Sequence, residues 1–124
     1  MAKVVFSGLE PRSAGRLASL LTGDGHEIHR ENQNVAVREL MNANIVFVGG
    51  EPDHYLSLLR RVRLIDPTLA FVVVARYPET SEWLAALEAG ATDYFSTPFD
   101  LRMVRSLIAS AIAPRVALTG VNGQ

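Results

Sequence analysis

The chain has 124 residues, the length of one domain, and its 48% hydrophobic and 20% charged residues suffice for a packed core under a charged surface. A formal net charge of −1 gives no electrostatic case for nucleic-acid binding, and the lack of cysteine excludes disulfides, thiol catalysis and cysteine-ligated zinc. No apolar run approaches the roughly 20 residues that span a bilayer. The sequence opens on a strand rather than a secretory signal, so a cytoplasmic protein is expected.

Val4, Val5 and Phe6 form a short apolar run without alternation, as expected of a strand buried on both faces. Pro11 suits the first turn of a helix, where its missing N–H costs nothing. Ala14, Leu17, Ala18 and Leu21 then share a helical face, and Gly23 and Gly25 stop the helix. Glu27, Ile28 and His29 make a more polar strand, suited to a sheet edge. Asn34 is placed to cap a second helix with Val37, Leu40 and Met41 as its buried stripe.

The third strand is Ile45-Val46-Phe47-Val48, ended by Gly49-Gly50. Pro52 opens a third helix in which Tyr55, Leu58, Leu59 and Val62 share a face, and Pro67 closes that unit. Phe71 to Val74 supplies the fourth strand, residues 80–89 a fourth helix, Tyr94-Phe95-Ser96 the fifth strand, and residues 101–112 the fifth helix. Five strands alternating with five helices imply right-handed crossovers and a parallel sheet covered on both faces. The expected fold is therefore α/β: a single flavodoxin-like (βα)5 doubly wound sheet with strand order 2-1-3-4-5. Residues 1–113 form this domain. Residues 114–124 read as a tail or as the start of a following segment.

The stretch Gly90-Ala91-Thr92-Asp93-Tyr94-Phe95-Ser96-Thr97-Pro98-Phe99-Asp100 is the most distinctive. Gly90 ends a helix, Pro98 ends a short strand, and Asp100 opens the last apolar-periodic run. This arrangement, with the apolar third strand and the Val-Val-Val-Ala end of the fourth, resembles the receiver domain of two-component response regulators. The resemblance spans residues 3–112 and implies a cis Thr97–Pro98 bond. It also implies a site at the carboxyl ends of the strands: two acids that hold magnesium, an aspartate that accepts the phosphoryl group, a hydroxyl residue and a lysine. The matching positions here are Ser7 and Gly8, Gly49, Ala75, and Thr97.

None of the five carries the group that chemistry needs. Magnesium requires oxygen ligands, normally with one or two carboxylates. A phosphoaspartyl intermediate requires a carboxylate nucleophile. The expectation is a degenerate receiver that is not an enzyme, needs no cofactor and acts as a protein–protein interaction module. The alternative is a phosphorylatable receiver with a displaced carboxylate, Asp53. Glu10, Glu51 and Asp53 otherwise read as acidic partners of helix N-termini. Arg76 reads as a solvated loop arginine, with an anion-holding role as the alternative. Arg60, Arg61 and Arg63 read as a solvated helix face, with a phosphate-binding patch as the alternative. His26 and His29, three apart, point to opposite strand faces, and His54 is isolated, so no metal site is expected.

The resemblance implies that signalling uses the face formed by helix four, strand five and helix five, with Tyr94 at the family's switch aromatic. Leu84 and Leu87 suit the core, which turns Trp83 outward, and Met103 and Leu107 lie beside the buried stripe of Val104, Ile108 and Ala111. Trp83, Tyr94, Met103 and Leu107 are thus expected to form an apolar interface for a protein partner or a second copy. The alternative is that Trp83 caps the core and Met103 fills a gap. Residues 115–124 also resemble the first strand of a P-loop ATPase. Tight-adherence pilus-assembly localisation proteins join a degenerate receiver to a MinD-like ATPase in that order. The other reading is a terminal tail.

Overall fold

A computed structural model describes residues 1–32, 34–77 and 79–113. Five strands, β1 (Lys3–Ser7), β2 (Glu27–Glu31), β3 (Ile45–Val48), β4 (Ala70–Ala75) and β5 (Asp93–Ser96), pair in parallel in the order β2-β1-β3-β4-β5. They alternate with α1 (Pro11–Gly23), α2 (Val37–Leu40), α3 (Pro52–Ile65), α4 (Thr80–Glu88) and α5 (Leu101–Ile112). This is the flavodoxin-like order expected from the sequence.

The apolar runs without alternation are explained by two cores, one on each sheet face. Val4, Phe6, Ile45, Phe47, Val72 and Val74 point to the α1–α5 side, where Leu17, Leu21, Val104 and Ile108 cover them. Val5, Val46, Val48, Phe71 and Val73 point to the other side, under Leu40, Leu58, Leu59 and Val62. Registers such as Phe6 opposite Phe47 and Phe47 opposite Val72 stack the large side chains across the central strands. The Phe6 and Phe47 rings meet edge to face, 6.0 Å apart. Strand β2, at the edge, is half-buried to exposed, as its polar sequence requires.

Three expectations need correction. The second helix is a single turn, capped by Ala36 without a side-chain bond, because Asn32 Oδ1 takes the Asn34 N–H at 2.8 Å and turns the chain there first. In α4 the inward residue is Ala86, while Leu84 and Leu87 are 47% and 37% exposed. Small side chains face the sheet, with Ala86 buried and Ala85 and Ala89 half-buried. Third, Arg60 and Arg61 are exposed, but Arg63 is half-buried: its Nε donates to Gly90 O at 2.9 Å and its Nη1 to Asp66 O at 3.0 Å. It therefore ties the end of α3 to the turn before β5. Residues 114–124, and with them the resemblance to a following ATPase strand, lie outside the described residues. No helix among the described residues is long and apolar enough to cross a membrane.

The Arg63 bonds predict a local asymmetry. Arg63→Ala is expected to cost about 1–2 kcal/mol, the net worth of charge-assisted bonds discounted for partial exposure. Arg60→Ala is expected to stay within about 0.5 kcal/mol of the parent. Urea unfolding midpoints check both.

Candidate functional site

The carboxyl ends of β1, β3, β4 and β5 bring the five expected positions to one end of the sheet. Each is held by backbone or hydroxyl bonding. Ser7 is buried, and its Oγ donates to Asn32 O at 3.0 Å. Its carbonyl accepts the Gly49 N–H at 3.0 Å. Gly8 turns the chain with φ of 70°, a left-handed conformation unfavourable to side chains at that position. The Thr97 N–H donates to Ala75 O at 3.1 Å and its Oγ1 to Arg76 O at 2.7 Å. The Thr97–Pro98 bond is cis, as the resemblance implied.

Gly49 is the tightest point. A Cβ there would lie 3.1 Å from Val74 O, 3.2 Å from Gly8 O and 3.3 Å from a Leu9 methyl. Two of the three neighbours are backbone carbonyls, which cannot rotate away.

Outside these positions opens a crevice of about 450 Å³. Gly8 and Ala75 belong to its wall; Thr97 lines an adjoining one of about 340 Å³. Its charged residues are Glu10, Glu51, Glu79, Glu82 and Arg76. Glu10 caps α1: its carboxylate accepts the Ser13 N–H and Oγ–H, both at 3.1 Å. Those bonds, led by the Ser13 backbone N–H and helped by Arg76 and Arg12, hold the carboxyl below its usual range. Glu51 and Glu79 stand at the N-caps of α3 and α4 without a side-chain cap bond. The Arg76 guanidinium lies over the Tyr77 ring, 5.4 Å from its centroid.

Tyr55, also in the wall, is 4% exposed, and its hydroxyl has no hydrogen-bond partner among the described residues. Burial, then the charge of Glu82 and the neighbouring Tyr94, push that hydroxyl up to about 12. Tyr94 is also raised, by burial and then by Glu82, whose Oε1 lies 3.5 Å from the Tyr94 hydroxyl. Asp53 sits in the exposed first turn of α3. The three histidines stay apart: His26 Nδ1 accepts the Ala2 N–H, His29 pairs with Glu27, and His54 is exposed.

The four expected interface residues divide. Trp83 and Met103 are 42% and 48% exposed. Tyr94 and Leu107 are half-buried and pack on opposite sheet faces, Tyr94 toward the α3 core and Leu107 toward the α1 core. Leu84 and Leu87, assigned to the core from sequence, are the additional exposed apolar residues of α4. Sequence reasoning missed Glu79, Glu82 and Tyr55 as crevice residues. The available signal was their place at the start of helices that follow strands, the end of the sheet where a crevice opens.

No protein-family model and no curated protein sequence matches the chain. Solved structures do. A two-component response regulator from Clostridium difficile superposes with a TM-score of 0.74 at 18% identity, over 90% of this chain and 96% of that one. A response regulator receiver domain protein from Clostridium thermocellum gives 0.76 at 20% identity, over 90% and 94%. A response regulator from Thermotoga maritima gives 0.70 at 24%, over 86% and 97%. The fold is that of response-regulator receiver domains. The crevice at the strand ends is lined by Gly8, Val74 and Ala75, and its carboxylates stand on the starts of α1, α3 and α4 around it.

The packing at Gly49 predicts an opposite response from two glycines. Gly49→Ala is expected to destabilise the domain by about 1–3 kcal/mol through overpacking against fixed carbonyls. Gly15→Ala, inside α1 with nothing within 4 Å of the added carbon, is expected to stabilise it by about 0.5–1 kcal/mol. Chemical denaturation of both variants measures the difference in sign.

Proposed function

We propose that this domain is an atypical receiver of phosphorelay-type signal transduction that carries no phosphoryl group and works as a phosphorylation-independent protein–protein interaction module. The observation that carries the reading is the closure around Gly49. The position that resembles the family's acceptor has no side chain, and its surroundings leave no room for one without moving Val74 or Gly8 backbone. Ser7 and Thr97, at the positions of a magnesium-holding acid and the lysine, spend their hydroxyls on backbone carbonyls. Asp53, the displaced-acceptor alternative, is an ordinary first-turn acid of α3 and favours its helix dipole.

Incubation with acetyl phosphate and magnesium followed by intact mass measurement tests this directly. No phosphoryl adduct is expected. An adduct mapped to Asp53 would establish the alternative.

The partner we propose is a second copy, met through the face of α4, β5 and α5. Trp83, Leu84 and Leu87 on α4 and Met103 on α5 are exposed large apolar side chains, each worth about 1.5–3 kcal/mol when fully buried, before the costs of association. A self-complementary face of this kind favours a two-fold pair. With no phosphorylation to switch it, the pair is constitutive. In sedimentation velocity, Trp83→Ala is expected to shift the protein toward monomer more than Gly49→Ala does, with an unchanged far-UV circular dichroism spectrum. A parent protein that stays monomeric at high concentration would sink the self-pairing, and an unfolded Trp83→Ala would reassign Trp83 to the core.

A further inference from the structure

We propose that the pocket between the start of α1 and the loops that follow β4 and β5 binds a phosphomonoester dianion without a covalent bond, held by the guanidinium groups of Arg12, Arg16 and Arg76. The first observation is where unanswered positive charge collects. Arg38, Arg102 and Arg105 each have a carboxylate within 4.0 Å, and Arg61 and Arg63 donate to backbone carbonyls. Arg12, Arg16 and Arg76 have no such partner among the described residues, and all three line one pocket of about 340 Å³. The acid of that wall is Glu10, whose carboxylate already accepts the Ser13 N–H and Oγ–H. Three arginines against one glutamate leave a net charge of +2 in the wall, although the whole chain carries −1. The glutamates of the adjoining crevice, Glu51, Glu79 and Glu82, form no ion pair with these arginines.

The second observation is that two of the three guanidinium groups are already oriented. Arg16 lies over the Phe99 ring, 5.2 Å from its centroid, and Arg76 over the Tyr77 ring at 5.4 Å. Phe99 is buried and stacks on Phe95 with centroids 6.3 Å apart, so its ring is a fixed platform. The main chain at Arg76 is fixed too, because its carbonyl accepts the Thr97 hydroxyl at 2.7 Å. A guanidinium laid on a ring face keeps its N–H edge for an acceptor, and a side chain ordered beforehand loses less freedom on binding. A phosphomonoester offers roughly −1.5 to −2 charge and three strong acceptor oxygens. Donors arriving from α1 and from the loop after β4 can each take a different oxygen. A carboxylate has one charge and two oxygens in a single plane, and so answers such donors less fully. The pocket volume falls within the roughly 300–1,000 Å³ of small-molecule sites. Tyr77, 70% exposed beside Arg76, offers a ring to the base of a nucleotide. The binding is non-covalent, so it does not depend on whether Asp53 accepts a phosphoryl group, which the acetyl phosphate experiment tests separately.

The test is an amide NMR titration of the full chain with adenosine monophosphate, inorganic phosphate, adenosine and sodium acetate at matched ionic strength. Saturable shifts at Arg12, Ser13, Arg76, Tyr77 and Thr97 are expected with both phosphates and not with acetate or adenosine. Arg12→Gln and Arg76→Gln are each expected to weaken phosphate binding by about tenfold, the worth of one charge-assisted hydrogen bond. Arg60→Gln, which removes the same charge from an exposed face of α3, is expected to leave it unchanged. Preserved spectral dispersion shows that the variants fold. Tighter binding of the nucleotide than of inorganic phosphate assigns the site to a nucleotide, and equal binding assigns it to the phosphate group alone. The proposal is overturned by equal shifts with acetate or adenosine, by no saturation, by unchanged affinity in Arg76→Gln, or by an equal loss in Arg60→Gln, which would mean a general charge effect.

Discussion

The close approach of three backbones at Gly49 sets the character of this molecule. Strands β1, β3 and β4 end together, and the Gly8 and Val74 carbonyls come within 3.2 Å and 3.1 Å of where a Cβ of residue 49 would be. The Gly49 N–H is tied to Ser7 O, Ser7 Oγ to Asn32 O, and Thr97 to both Ala75 O and Arg76 O. In this sheet end the Ser7 and Thr97 hydroxyls and the Gly49 N–H are all bonded to backbone carbonyls. The same economy removes reactive side chains from the floor of the crevice. What negative charge remains there stands one step outward, on Glu10, Glu51 and Glu79 at the N-caps of α1, α3 and α4 and on Glu82 in the first turn of α4.

Much of this was legible in the sequence because burial on both faces leaves an unmistakable pattern. Runs such as Val4-Val5-Phe6 and Ile45-Val46-Phe47-Val48 cannot serve a half-exposed sheet, so a parallel sheet between two helical layers follows from them. The strand ends, and hence the positions of Ser7, Gly8, Gly49, Ala75 and Thr97, follow in turn. What sequence could not supply was distance. That Gly49 is enclosed by carbonyls, and that Arg63 reaches Gly90 across 27 residues, depends on how segments far apart in the chain meet. Asn34 illustrates a local version of the same limit: it is a competent cap, but Asn32 two residues earlier captures its N–H.

Helix α4 misled periodicity for a definite reason. A nine-residue helix offers few positions, and assigning the core to its largest apolar residues places Leu84 and Leu87 inside. The structure turns Ala86 inward instead, with Ala85, Ala89 and Glu82 half-buried. Small side chains set the helix against the sheet, and the polar Glu82 reaches the crevice edge near Tyr55 and Tyr94. The hydrophobic rule holds one way only: apolar residues fill cores, yet an exposed leucine or tryptophan breaks no rule by itself.

The energetic standing of α4 follows from that geometry. Helices α1 and α3 each bury four side chains, whereas α4 buries Ala86 alone. An element with so little buried apolar area belongs to the low end of local stability. Its C-terminal turn is closed by the Ala91 N–H donating to Ala86 O at 2.9 Å and tied to α3 by Arg63, which holds Gly90 O. Trp83, Leu84 and Leu87 on this helix stay 42%, 47% and 37% exposed. On the proposed reading, a second copy covering these residues would supply to α4 the burial that its own core withholds. Pairing and the ordering of α4 would then be one equilibrium, because whatever binds only the ordered helix stabilises it by mass action.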